Sequence, residues 1–264
     1  MLRRSRPPCS DSDDNLGRLP QTGATMALIL YELAAADPAV RFSPHCWKTR
    51  MALAHKGLNA ERQPWCFTET EMIAFSGQAK VPVLVDGDEV VHDSWRIAEY
   101  LERQYPDKPA LFTEKPPMPL AGFVNAWADK VLVPAIARII MVDVHACLRP
   151  VDQAYFRASR EQMYGKQLEA VVSDRDSHIR NLGKALTPLR HILQSRDFLD
   201  GAAPAYADYC VFGMFMWARC VSAIPLLEPD DPVHAWRERL LDLHDGLARS
   251  APVATAVIAA VVTD

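Results

Sequence analysis

The sequence predicts an α/β domain followed by an all-α domain. Three features predict it. Strand-like and helix-like stretches alternate as far as residue 105, prolines crowd residues 106–118, and every periodic stretch beyond them has the helical period. A chain of 264 residues is long enough for two ordinary domains, and 49% hydrophobic against 23% charged residues lets each build a core.

Residues 1–25 are dominated by Arg, Pro, Ser, Asp and Gly without a period, and they read as a disordered tail ahead of a unit that begins near Met26. Leu28–Leu33 is an apolar strand, Pro44–His55 a helix stopped by Gly57, and 60–66 a second strand. Residues 81–85 are rich in β-branched side chains. Asp86-Gly87 then supplies a two-residue hairpin turn, and Glu89–His92 returns as the partner strand. A helix over 93–105 ends at Pro106. The order over 26–105 is β-α-β-(α)-β-β-α, with parallel and antiparallel strands in one sheet. Pro106, Pro109, Pro116 and Pro117 mark 106–118 as a linker. The helical domain covers 119–250, with helices expected over 120–145, 153–172, 177–194, 206–222 and 232–247 and a kink at Val133-Pro134. Residues 251–264 form a closing tail.

The net charge of −4 offers no basic excess to neutralise phosphates, which argues against nucleic acid as a partner. The longest apolar run, 251–262, is too short to span a bilayer and is broken by Thr255. Cys9, Cys46, Cys66, Cys147, Cys210 and Cys220 form no CxxC pair and no zinc-ligand spacing. Scattered cysteines and the lack of a secretory signal pattern predict a cytoplasmic protein without a metal.

The chemistry concentrates in Phe42-Ser43-Pro44-His45-Cys46-Trp47, between the first strand and the first helix. Ser43 suits an N-cap and Pro44 the first helical position. On their own they fit a plain helix start. The spacing looks like the Cys-Pro-x-Cys of glutaredoxins with serine in place of the attacking cysteine. That exchange removes disulfide chemistry and leaves a hydroxyl where the helix dipole favours an anion. Cys46, one turn in, reads as a small core residue, Trp47 as packing against the sheet, and His45 as a residue of surface or supporting role.

Further motifs turn this helix start into a candidate site. Lys80-Val81-Pro82-Val83-Leu84-Val85-Asp86-Gly87, with Asp93-Ser94-Trp95-Arg96-Ile97-Ala98-Glu99-Tyr100-Leu101 after it, resembles the glutathione-binding half of cytosolic glutathione transferases. Phe198-Leu199-Asp200-Gly201 and Ala205-Tyr206-Ala207-Asp208-Tyr209 are similar to that family's helical-domain motif, except that Ala205 stands where a capping hydroxyl or amide is usual. The departure weakens the cap by about 0.5–2 kcal/mol. The resemblance implies a thioredoxin-like first domain that binds glutathione and a helical second domain that supplies the pocket for a hydrophobic electrophile. It implies that Ser43 stabilises the glutathione thiolate, that Lys80, Val81 and Pro82 meet the tripeptide with a cis Val81–Pro82 bond, and that Asp93 and Ser94 hold its γ-glutamyl end. It also implies a homodimer. Ser43-Pro44-x-x-Trp47 and the stretch from Asp230 to Leu247 look most like the bacterial β-etherase and fungal-type branch, whose members include enzymes that cleave aryl ethers; zeta-like members share a similar start.

Two other functions fit the same fold. A non-catalytic glutathione or ligand binder would tend to lose Ser43 or the Asp93-Ser94 pair, and both are present. A glutathione-dependent oxidoreductase would need a cysteine at position 43; an isomerase remains a third use of the same site. Trp127, Ile136 and Met141 fit either the electrophile pocket or the core, the Phe212 to Trp217 stretch reads as core, and His234 and His244 are too isolated for a metal site.

Overall fold

The computed structural model describes residues 28–113 and 119–254. The tail read at 1–25, the second half of the proline-rich segment and most of the closing tail lie outside them. The first domain comprises β1 (Leu28–Leu33), α1 (Pro44–His55), β2 (Ala60–Trp65), a 3-10 turn (Thr70–Ser76), β3 (Val83–Asp86), β4 (Glu89–His92) and α2 (Ser94–Gln104). The sheet order is β2-β1-β3-β4. β1 and β2 run parallel, and β3 is antiparallel to both β1 and β4. This is the mixed sheet and element order expected. β3 begins at Val83 rather than 81 because Pro82 has no N–H to give the ladder. β2 stops short of Cys66, whose N–H is taken by the Glu69 carboxylate at 3.0 Å.

The helical domain contains α3 (Pro119–Trp127), α4 (Val133–Ala146), α5 (Pro150–Tyr164), α6 (Leu168–Val171), α7 (Arg175–Ala185), α8 (Thr187–Leu193), α9 (Tyr206–Val221) and α10 (Pro232–Gly246). Three expected helices are therefore broken. Between α3 and α4 runs a π-helical turn, Ala128–Leu132, at the proline step expected to kink. Pro134 lacks an N–H and its ring crowds the carbonyl four residues back, and the wider turn accommodates both. Gly165, at φ 66°, ends α5. In the last turns of α10, Leu243 is extended and His244 and Asp245 are left-handed, with φ 52° and 58°.

α1 is the packing centre. Cys46 to Leu53 are buried without a break, so the helix has no solvent stripe. It contacts α2 on one side and α9 on the other. α9 is itself buried along nearly its whole length, which fits its Met- and aromatic-rich sequence. The linker is also fastened to α1. Lys56 donates to the carbonyls of Tyr105 and Pro109 at 3.2 and 3.1 Å and pairs with Glu102 at 2.9 Å. His55 Nε2 donates to the Ala110 carbonyl at 2.9 Å, and its Nδ1 accepts from the Tyr209 hydroxyl at 2.7 Å. Leu111 and Phe112 are buried, and the Tyr206 N–H donates to the Leu111 carbonyl at 2.8 Å.

Two carboxylates secure the helical domain. Asp208 is fully buried and accepts from the N–H groups of Ala205 and Leu199 and from the Trp236 indole, at 3.0, 2.9 and 2.8 Å. Ala205 supplies no side-chain acceptor, so only the Asp208 half of the capping box exists. Asp152, at the start of α5, accepts from the Thr68 N–H and hydroxyl, each at 2.9 Å, and pairs with Arg149 at 2.6 Å. Arg149 also pairs with Glu69 at 2.6 Å, which clasps the helical domain to the loop after β2.

Asp208→Ala strands three buried N–H donors and is expected to cost at least about 3 kcal/mol of stability, read as a lower urea midpoint. An unchanged midpoint would show that these donors find other acceptors. Burial alone would push the Asp152 pKa up, but Arg149 and Thr68 outweigh it and hold it below the ordinary aspartate value. The stability it contributes is thus complete above that ordinary value and is lost as pH falls through the lower folded value. Acidification below about pH 4 is expected to destabilise the wild type more steeply than Asp152→Asn, in unfolding midpoints measured across pH.

Candidate active site

The sheet brings the sequence motifs to one end. Val83 pairs with Tyr31 on one side and His92 on the other, both antiparallel. Val81 and Pro82, just before β3, and Asp93, just after β4, therefore lie toward the end of β1 from which the chain turns to Ser43. The Val81–Pro82 bond is cis. Val81 is half-buried, Pro82 buried and Lys80 exposed.

Ser43 caps α1. Its Oγ accepts from the Cys46 N–H at 3.3 Å, and Pro44 occupies the first helical position. This uses an acceptor site of the hydroxyl; its hydrogen can turn toward the Cys46 thiol beside it or toward a bound ligand. Cys46 cannot take over as the nucleophile: burial foremost, with the Glu32 carboxylate, pushes its thiol up to about 12. Trp47 is buried and donates from its indole to the Arg41 carbonyl at 2.9 Å, with the Arg50 guanidinium 4.3 Å from its ring centre.

Asp93 caps α2 through Oδ1, which accepts from the N–H groups of Trp95 and Arg96 at 3.0 and 3.2 Å. Its φ of 71° is left-handed, a conformation that costs a non-glycine residue about 1–3 kcal/mol. Asp93 is exposed, and among the described residues its second carboxylate oxygen has no partner. Ser94, the first residue of α2, is buried, and its N–H has no partner within the helix. Its carbonyl accepts from the Tyr206 hydroxyl at 2.6 Å. Tyr206, Trp95 and Phe112 form an aromatic trio with ring centres 5.3–5.8 Å apart, so α9 and the linker brace the start of α2.

The helical domain meets α1 through charge. Buried Lys48 donates to Asn125 at 2.8 Å and to Asp129 at 2.6 Å. Asp129 belongs to the π-helical turn and stands 3.7 Å from His45 Nδ1. Burial first, then Lys48, hold the His45 pKa below the ordinary imidazole value, against Asp129 and Asp93. His45 thus feels the Asp129 side of the cleft and the Asp93 and Lys80 side together. Ile136 and Met141 are core residues, while Trp127 is partly exposed. Among the described residues no group of three or more His, Cys, Asp or Glu side chains is placed to hold a metal ion, and no helix is long and apolar enough to cross a membrane.

Several of these residues escape the sequence reading. Gly213 is the sharpest case. A methyl group there would overlap the Pro44 carbonyl oxygen and press on the Lys48 side chain, so α1 and α9 approach this closely only because position 213 is glycine. A glycine inside a strongly helical stretch was the available signal. Tyr206 lies inside a recognised motif, but its reach to Ser94 spans 112 residues. Asn125 and Asp129 gave no signal: Asn125 sits within α3, and the turn that presents Asp129 follows from a proline five positions later.

A thioredoxin-like domain with a serine-capped first helix and a cis-proline before β3, joined to a helical bundle, defines a class of two-domain folds. The profile described as glutathione S-transferase, N-terminal domain, matches residues 42–104, and that described as glutathione S-transferase, C-terminal domain, matches residues 120–245. Glutathione transferase GSTFuA3 from Phanerochaete chrysosporium superposes with a TM-score of 0.68 and 31% identity, over 84% of this chain and 93% of that one. A glutathione S-transferase of Ceriporiopsis subvermispora, solved in complex with glutathione, reaches 0.71 at 22% identity over 83% and 96%, a likeness of fold. Among curated proteins, glutathione S-transferase Z1 of Arabidopsis thaliana is 38% identical over 69 residues, and a zeta-class enzyme of Euphorbia esula is 37% identical over 70. These matches cover about a quarter of this chain and 31% of each relative's length. The chain belongs to the glutathione S-transferase family.

Gly213→Ala is expected to force the start of α1 away from α9, costing about 1–3 kcal/mol and weakening glutathione binding with it. Urea unfolding and calorimetry on the same variant check both. Normal values of each would mean that the helices part without moving Ser43.

Proposed function

We propose that this chain is a glutathione transferase in which Ser43 holds the glutathione thiolate for attack on a hydrophobic electrophile. The observation that carries the reading is the Ser43 hydroxyl. It caps α1 as an acceptor and keeps its hydrogen to donate, at a helix end where backbone N–H groups and the dipole favour negative charge. A sulfur placed there gains one charge-assisted hydrogen bond and the field of the helix, so its pKa falls and more nucleophile exists at neutral pH. Lys80, Val81 and Pro82 line the cysteinyl and glycyl side of the tripeptide. The second Asp93 oxygen meets its ammonium, and the open N–H of Ser94 with the hydroxyl meets its γ-glutamyl carboxylate. The fungal structure of the same fold, solved in complex with glutathione, supports glutathione as the ligand.

The resemblance of the Ser43-Pro44 start to the β-etherase branch extends the proposal to aryl ethers, with carbon–oxygen bond cleavage by thiolate attack. A homodimer in the cytoplasm completes it. Large apolar side chains exposed on both domains, Phe75 and Phe123 among them, suit a covered face. The oxidoreductase alternative is disfavoured by the sealed Cys46 thiol.

Ser43→Ala is expected to lower the rate at neutral pH about ten- to a hundredfold, with a smaller loss at high pH where the thiolate forms unaided. Glutathione affinity is expected to change little, because the ends of the tripeptide are held elsewhere. The pH–rate profile with one electrophile, together with calorimetry, measures this. An unchanged profile would move thiol activation to another group.

A further inference from the structure

The thiolate chemistry proposed above leaves a proton to be placed and a leaving atom to be neutralised, and the structure offers a group for both. His45 lies two positions after Ser43, in the same first turn of α1. Its side chain is 40% exposed, whereas the four residues after it are buried. It is the titratable side chain of this turn that keeps a solvent-exposed surface. Nδ1 faces the Asp129 carboxylate at 3.7 Å, and Asp129 is fixed in turn by Lys48 at 2.6 Å.

We propose that His45 is the proton carrier of the reaction: it takes the proton of the glutathione thiol and delivers it to the leaving atom of the electrophile, with Asp129 as its positioning residue. The inference rests on the glutathione-transferring reading. In this role the ring hydrogen belongs on Nδ1, the nitrogen nearer the Asp129 carboxylate, and the lone pair on Nε2. Four charged groups act on the ring from every side: Lys48 from its own helix, Asp129 from the π-helical turn, Asp93 from the junction of β4 and α2, and Lys80 from the segment before β3. Two of these charges are positive and two negative, and the desolvation of the ring by the protein packed around it, foremost among the causes, holds it neutral at neutral pH although part of its surface reaches solvent.

The atoms balance without any other reactant. The S–H bond breaks as a proton passes to Nε2. The sulfur forms a bond to carbon as the bond from that carbon to the leaving oxygen breaks, and the electron pair leaves with the oxygen. The proton then moves from Nε2 to that oxygen. The products are a thioether and a phenol. The timing follows from charge. A neighbouring thiolate strengthens the hold of the ring on its proton, and that hold disappears once the sulfur charge is spent in the new bond. The ring then becomes a stronger acid as the leaving oxygen becomes a base.

The test uses the full chain with glutathione and a series of α-aryloxy ketones whose leaving phenols range from nitrophenol to methoxyphenol. A proton carrier matters most for the most basic leaving group. His45→Gln is expected to lose about tenfold with nitrophenol and about a hundredfold or more with methoxyphenol, with glutathione affinity within about threefold of wild type. Asp129→Asn is expected to show the same trend with a smaller loss. A loss that is equal across the series, or absent, while binding and turnover by the wild type are intact, overturns the proton-carrier role alone. A wild type that binds no glutathione overturns the underlying reading as well.

Discussion

The structure depends on burying α1 on every side. A helix packed between α2 and α9 has little face left for water, so its polar side chains are stabilised by partners inside the protein. The Thr49 hydroxyl and Arg50 Nε are exceptions, buried without a hydrogen-bond partner among the described residues. Lys48 reaches Asn125 and Asp129, His55 reaches Tyr209 and Ala110, and Lys56 reaches Tyr105, Pro109 and Glu102. Breaking such a buried pair costs far more than a surface pair is worth, so these contacts fix the helix along its axis and about it. Its first residue is therefore held as firmly as its middle, and the Ser43 hydroxyl is presented by a support that cannot yield on one side only.

The same burial keeps the protein's own thiols out of reaction. Cys46, Cys147 and Cys210 are each pushed up to about 12, and Cys66 and Cys220 to about 11, burial being the largest cause every time. At neutral pH these five thiols are protonated and poor nucleophiles. Cys46 shows how close the two environments lie. Its N–H bonds the Ser43 oxygen, yet its sulfur is turned into the core.

Much of this was legible from local rules. The succession of strands and helices over 26–105, the hairpin at Asp86-Gly87, the Ser43-Pro44 helix start and the Asp93-Ser94 start of α2 each rest on neighbouring residues whose conformational preferences agree. The reading failed where distant parts meet. α1 shows no apolar stripe because Lys48, His55 and Lys56 along it are matched from elsewhere in the chain, from Glu102 to Tyr209. The helix expected over 120–145 was right in kind, but the π-helical turn within it is a response to Pro134 whose consequence, a carboxylate beside α1, appears only in three dimensions. Ala205 lacks the usual cap, and the compensation comes from Asp208 through a tryptophan 28 residues away. For the site, local pattern identifies which residues converge, and packing decides which of their atoms are already committed.

The fastening of the linker to the end of α1 limits how this architecture can be recombined. Residues 105–111 hand two of their carbonyls to Lys56, one to His55 and one to the Tyr206 N–H, and the Leu111 N–H goes to Glu102. The boundary between the domains is thus not a passive tether at which one module ends. A chimera that joined this first domain to the helical half of a relative at residue 106 would discard the Pro109 acceptor of the buried Lys56 ammonium and the Ala110 acceptor of His55. A crossover after Leu111 would keep them, but would still need a tyrosine at the start of the incoming ninth helix and a glycine seven residues along it. Exchange of whole domains between family members is therefore restricted to partners that share these few remote positions, however well their separate folds agree.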